Sequence, residues 1–133
     1  MAPKIRLLCV DDHRIVREGI AAIISRQADM TVVGFAASGE EAVAQFKRCK
    51  PDVTLMDLRL EGTSGLHAIQ AIRHEQADAR IIVLTMYAGD EDIHQALAAG
   101  AATYLLKDSL SHDLITTVRD VGAVPEVAFA PCD

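Results

Sequence analysis

Five short apolar runs, separated by stretches of helical period, constrain this chain more than any other feature in it. The runs are Ile5–Val10, Thr31–Ala36, Val53–Met56, Arg80–Leu84 and Thr103–Leu106. They are rich in Ile, Val and Leu without clean polar–apolar alternation, which is how strands covered on both faces read.

Between the runs, apolar residues recur at helical spacing. Val16, Ile20 and Ile23 form one stripe, widened by Ile24, and Val43 with Phe46 marks a second helix. That second helix carries its own start signal, Ser38 with Glu41 three residues on, as in a capping box. Leu66, Ile69 and Ile72 mark a third helix, and Ile93, Ala96 and Leu97 a fourth. Leu114, Val118 and Val121 mark a fifth, entered near Ser111. Strand and helix thus alternate five times, which implies right-handed crossovers and a parallel sheet. Periodicity leaves the strand order open. The common solution is an α/β, flavodoxin-like, doubly wound five-stranded parallel sheet of order 2-1-3-4-5 with five helices, and such sheets gather their ligands at the carboxyl ends of the strands.

Composition removes several other classes. Half of the 133 residues are hydrophobic, enough for one continuous core without staples. A net charge of −6 opposes electrostatic binding of nucleic acid or of an anionic membrane surface. Cys9, Cys49 and Cys132 are scattered, odd in number and without C-x-x-C spacing, so neither a disulfide framework nor a zinc site is expected. Cys9 lies in an apolar run and reads as a small buried hydrophobe. The start lacks a signal-peptide core and no apolar stretch approaches membrane-spanning length, so a soluble, cytoplasmic protein without membrane partners is expected.

The chemistry-bearing residues sit where the sheet rule directs attention. The first strand runs into Asp11 and Asp12, the third into Asp57, the fourth into Thr85 and the fifth into Lys107. A parallel sheet brings these to one edge. Three carboxylates there repel unless a cation neutralises them. Mg²⁺ suits such a site, because it takes one or two carboxylates and coordinates phosphate oxygens as well. Asp57 could then act as a nucleophile that forms an aspartyl phosphate. Lys107 would pair with the phosphoryl oxygens and Thr85 would donate a hydrogen bond to one of them. Singly, each has a plainer role: Asp12 as a helix cap, Thr85 as a strand former, Lys107 as solvated surface. Their joint placement at four strand ends is what carries the reading.

From about Lys4 to Gly122 the chain resembles the receiver domain of bacterial response regulators. The segments Val10-Asp11-Asp12-His13-Arg14-Ile15-Val16-Arg17-Glu18-Gly19, Leu84-Thr85-Met86-Tyr87 and Gly100-Ala101-Ala102-Thr103-Tyr104-Leu105-Leu106-Lys107-Asp108 are similar to the NarL/FixJ subfamily in particular. The resemblance implies that Asp57 is the phosphoacceptor, served by a sensor histidine kinase as donor. It implies direct Mg²⁺ ligation by Asp12, Asp57 and the carbonyl of Arg59, with Asp11 acting through a water. Thr85 and Lys107 become the switch pair, and Tyr104 the aromatic that changes rotamer on activation and alters the face of helix 4, strand 5 and helix 5. Such a switch is expected to control a separate DNA-binding helix-turn-helix domain, with a second copy of the chain as a dimer partner; the alternative is a stand-alone receiver acting on a protein partner.

Several positions depart from the family. Glu61 stands where Pro is usual, which predicts a looser, more negative loop over Leu60–Gly65, and Asp108 follows Lys107 where many receivers carry Pro. Met86 replaces a small residue, which predicts slower access of donor and water, and Arg59 is long enough to reach over the site. His13 invites a metal or phosphohistidine reading but is expected at the start of the first helix, beside the acids, with no essential role; His67, His74, His94 and His112 are expected as helix surface or caps. A haloacid-dehalogenase-like phosphatase is the rival enzyme. Its general acid two residues after the nucleophile is here Arg59, which donates no proton at neutral pH, so a phosphoacceptor rather than a turnover enzyme is expected. No P-loop or dinucleotide fingerprint is present. Residues 4–122 are expected to form the receiver, and 123–133, with two prolines, a linker or tail that cannot itself fold into a helix-turn-helix.

Overall fold

The computed structural model describes residues 4–60, 64–89 and 91–128, with side chains described as far as Gly122. Glu61 and Cys132 therefore lie outside the described residues, as does the end of the expected tail. The strands are β1 (Ile5–Val10), β2 (Met30–Ala36), β3 (Val53–Asp57), β4 (Ile81–Thr85) and β5 (Thr103–Leu106). The helices are α1 (Arg14–Ser25), α2 (Gly39–Cys49), α3 (Gly65–Glu75), α4 (Glu91–Ala98) and α5 (Leu110–Ala128), with a 3₁₀ turn over Lys107–Ser109 leading into the last. All pairings are parallel and the order is β2-β1-β3-β4-β5, as expected.

The unalternating strands are explained by two cores, one on each face of the sheet. Along β1, Leu7 and Cys9 point to one side and Leu8 and Val10 to the other. The first pair packs with Ile20 and Ile24 of α1 and Leu114 and Val118 of α5. The second packs with Phe46 of α2, Ile69 and Ile72 of α3 and Ala96 of α4. β3 and β4 are buried at every position, since helices cover both of their faces. Burial pushes the Cys9 thiol up to about 12, so it acts as a core atom rather than a nucleophile.

Local signals set the helix ends. Ser38 Oγ accepts the backbone N–H of Glu41 at 3.1 Å, while the Glu41 carboxylate accepts from Ala37 N at 2.6 Å, so the box closes one residue earlier than its usual form. β2 carries an irregularity against β1: Leu7 pairs with Val32 and Leu8 with Gly34. One expectation changes here. The α5 backbone stays helical past Gly122 to Ala128, through part of the stretch read as linker. Among the described residues there is no cis peptide bond, so Lys107–Asp108 is trans. No described helix is long and apolar enough to cross a membrane.

Candidate functional site

Strand register delivers the acids to one edge. Val10 pairs with Met56, so Asp11 and Asp57 follow two neighbouring, hydrogen-bonded positions. Asp57 itself pairs with Leu84, and Thr85 with Leu106, which brings Lys107 alongside. Asp11 and Asp57 are fully buried and Thr85 nearly so, which is rare for charged groups without a shared purpose.

Lys107 Nζ stands 2.9 Å from Asp11 Oδ2 and 3.2 Å from Asp57 Oδ2. Close as the ammonium is, neither oxygen accepts a well-aligned hydrogen bond, nor does the buried Oδ1 of Asp12. Asp57 Oδ1 accepts the backbone N–H of Arg59 at 3.0 Å. Burial, reinforced by the charge of Asp11, raises the Asp57 carboxyl above its ordinary value, against the opposing pull of the Arg59 N–H and Lys107. Burial works to lower Lys107, but its contacts with Asp11 and Asp57 outweigh this and hold the ammonium above its ordinary value.

Asp11 and Asp57 are buried and share the ammonium of Lys107, while Asp12 beside them is 20% exposed. Buried charge of that kind is stable only when paired. The ligand atoms of Asp11, Asp12, His13 and Asp57 lie within 4.8 Å of one another. Carboxylate oxygens gathered in so small a space fit a divalent cation in charge, donor type and spacing.

Other expected residues fall near by with different partners. The Thr85 hydroxyl lies 3.4 Å from Tyr87 N and 3.5 Å from Tyr87 O. Tyr104 sits opposite Val83 on the edge strand with its ring partly exposed, and Met86 is half exposed beside Thr85. Arg59 lies in the loop after β3, and its guanidinium is 3.3 Å from Asp92 in the first turn of α4, so it ties that loop to the helix. Asp12 is not the helix cap: His13 is the N-cap residue, and Asp11 Oδ1 accepts the His13 backbone N–H at 2.8 Å.

One contact at the site carries no signal in the sequence. Arg17 donates to the Asp11 carbonyl at 2.6 Å, fixing the turn that presents the acids, and no motif signals such a contact. His13 lies beside the acids as expected, with Nδ1 3.1 Å from Asp11 Oδ1 and 3.0 Å from Asp12 Oδ1.

Gly65, the first residue of α3, packs directly on the acceptor's backbone. A Cβ there would fall 2.3 Å from the Asp57 carbonyl oxygen and 2.7 Å from Leu58 Cα. Backbone atoms cannot step aside as a flexible side chain would. Gly65→Ala is therefore expected to lower stability by about 1–3 kcal/mol and to disturb the acid cluster with it. A calorimetric melt reads the first effect and Mg²⁺ affinity the second; an unchanged melt would remove this contact from the account.

A buried acid cluster with a lysine, at the carboxyl edge of a 2-1-3-4-5 sheet, defines a receiver. The chain belongs to the response regulator receiver domain family, whose profile matches residues 7–119. Its relatives place it in the NarL/FixJ-like branch. It is 42% identical over 115 residues to the transcriptional regulatory protein LiaR of Bacillus subtilis (strain 168), covering 86% of this chain and 54% of that protein. It is 40% identical to the response regulator protein VraR of Staphylococcus aureus (strain N315), covering 86% and 55%. The chain thus spans about half the length of the curated relatives it matches. Among solved structures, the signal receiver domain of a NarL response regulator from Mycobacterium tuberculosis superposes with a TM-score of 0.86 at 33% identity, covering 92% of this chain and 98% of that one. A LuxR-family response regulator from Aurantimonas sp. SI85-9A1 gives 0.85 at 36% identity, covering 91% and 86%. Family membership sets aside the haloacid-dehalogenase alternative; receivers are signalling domains that bind Mg²⁺ at an acidic pocket.

Proposed function

We propose that this chain is a phosphorylation-dependent switch in which Asp57 takes a phosphoryl group from a sensor histidine kinase. The observation that carries the reading is the buried Asp57 carboxylate, sharing one ammonium with Asp11 at the strand edge. One Asp57 oxygen attacks phosphorus, and the new O–P bond forms as the donor's bond to phosphorus breaks. Asp12, Asp57 and the Arg59 carbonyl would hold Mg²⁺ directly, with Asp11 acting through a water. When bound, the ion offsets the charge of the phosphoryl oxygens and polarises the group for attack. Lys107, already poised between Asp11 and Asp57, pairs with a phosphoryl oxygen, and the Thr85 hydroxyl donates to another.

That last hydrogen bond draws Thr85 inward. Tyr104 then turns into the vacated space and the surface of α4, β5 and α5 changes. In this reading residues 4–122 are the receiver unit, and 123–133, which begin as a continuation of α5, lead towards an effector. The effector is a DNA-binding helix-turn-helix domain in the same regulator, and the altered surface supports a homodimer. Sensor kinase, receiver and effector all act on the cytoplasmic side.

Incubation with Mg²⁺ and acetyl phosphate tests this. One added phosphoryl group, mapped to Asp57 after borohydride trapping and absent with EDTA, is the expected result. Modification at another residue, or none from either acetyl phosphate or a NarL-class kinase, would overturn it.

A further inference from the structure

We infer that Arg17 is a positioning residue for Asp12: its guanidinium locks the peptide joining Asp11 to Asp12, so that Asp12 meets an arriving Mg²⁺ already in place. The inference rests on the phosphoacceptor reading, in which Asp12 is a direct ligand, and adds a residue to the machinery of that site.

Arg17 lies on the inner side of α1. Arg14 and Glu18 of the same helix pair with each other at 2.8 Å in solvent, whereas Arg17 is half-buried. Its charge reaches the buried Cys9 thiol, where it opposes the rise that burial imposes. Its Nη1 donates to the Asp11 carbonyl at 2.6 Å, which ties α1 back to the residue that follows β1.

No backbone N–H among the described residues donates to that carbonyl, so Arg17 is its partner. The other polar groups of Asp11 are held as well. Its N–H donates to the Ala36 carbonyl at 3.0 Å, Oδ1 accepts the His13 N–H at 2.8 Å, and Oδ2 lies 2.9 Å from Lys107 Nζ. Asp12 is held far less. Its side chain is 20% exposed, and the partner described for its carboxylate is the largely exposed His13 ring. The place of that carboxylate is therefore set from its backbone. The Asp11 carbonyl, the Asp12 N–H and the Asp12 Cα share one rigid peptide plane. A donor that fixes the carbonyl fixes the plane, and with it the point from which Asp12 reaches the site.

Position and charge predict opposite signs here. As a charge acting through space, Arg17 repels an arriving cation, and its loss would tighten Mg²⁺ binding. As a brace for Asp12, its loss loosens a ligand, and binding weakens. The brace dominates, because the guanidinium meets the backbone of Asp11 and not its carboxylate, which His13 and Lys107 engage. A planar fork suits this task better than a flexible ammonium, since less freedom is lost in holding the contact.

Calorimetric titration with MgCl₂ of the whole chain and of Arg17→Gln, each well below its melt, tests the assignment. The variant should bind Mg²⁺ about tenfold more weakly. Its phosphorylation by acetyl phosphate should be slow at low Mg²⁺ and return to the parent rate when Mg²⁺ saturates, because Arg17 braces a ligand and not Asp57. A role confined to stability would lower the melt and leave the Mg²⁺ affinity of the folded protein unchanged. Should Arg17→Gln fail to fold, Arg17→Lys takes its place: the charge stays, the fork goes, and binding should still be weaker than in the parent. Equal or tighter Mg²⁺ binding in the folded variant, or a rate deficit that saturating Mg²⁺ leaves untouched, overturns the inference. Mg²⁺-dependent phosphorylation of the unmodified chain keeps the phosphoacceptor reading standing in that event. Absence of both Mg²⁺ binding and phosphorylation in the unmodified chain overturns that reading and this inference together.

Discussion

Replacing Asp57 with Asn should abolish phosphorylation and, in the same step, make the metal-free protein more stable. The first effect follows from losing the nucleophilic oxygen, and intact mass should show no phosphoryl gain where the parent gains one. The second follows from the cluster. Asp57 is fully buried beside Asp11, and burial is the largest of the forces raising its carboxyl above the ordinary value. An acid whose folded-state value is raised binds a proton more readily when folded than when unfolded. Stability therefore falls as pH climbs from 3.8 through the raised folded value, and stays reduced above it. Asn occupies the same volume without that charge. Its advantage should be absent below pH 3.8 and grow as pH rises through the raised folded value, so that at neutral pH the variant melts above the parent. Calorimetry in EDTA reads it directly. Saturating Mg²⁺ should erase the gap, since the ion binds the parent more tightly and supports its folded state by mass action. A variant melting at or below the parent in EDTA, across this pH range, would mean that Lys107 already compensates Asp57 in full.

The same electrostatics explain what could be read from the sequence. β3 and β4 were legible because burial on both faces leaves no polar position to confuse the pattern. Ser38 was legible because its cap is a local bond, closed within three residues. Asp11, Asp12, Asp57, Thr85 and Lys107 were legible as a set because a parallel sheet fixes which ends of its strands coincide. Features set by side-chain reach were not. No spacing rule says that Arg59 turns to Asp92 or that Arg17 returns to the Asp11 carbonyl. Nor does periodicity say that the turn after β1 lays the His13 ring on two carboxylates. The backbone of α5 continues past Gly122 to Ala128, where the sequence shows prolines and no helical period to signal it.

Lys107 offers the sharper test of how the site is balanced, because its removal should move two properties in opposite directions. With its side chain 11% exposed and its ammonium 2.9 Å and 3.2 Å from two buried carboxylates, it is the nearest permanent countercharge they have. Lys107→Met keeps the length of the stem and deletes the charge. Breaking a buried pair by removing one partner costs about 3 kcal/mol, so the metal-free variant should melt about 10 °C below the parent. Because contacts with Asp11 and Asp57 raise Lys107, its contribution is fully present below pH 10.5 and lost only as pH rises through the higher folded value. The deficit should therefore be level across neutral pH. Phosphorylation should slow by about 100-fold, the scale for loss of a charge-stabilising donor at the reacting group. Mg²⁺ affinity should nevertheless rise, by about tenfold, because an ammonium no longer competes for Asp11 and Asp57 or repels the arriving ion. A merely misfolded site would bind Mg²⁺ more weakly. Titration of the variant with MgCl₂, followed by its melt in saturating Mg²⁺, separates the two. Tighter binding with a restored melt identifies Lys107 as the resident countercharge that an incoming cation relieves, whereas weaker binding makes it a structural strut holding the acids in place.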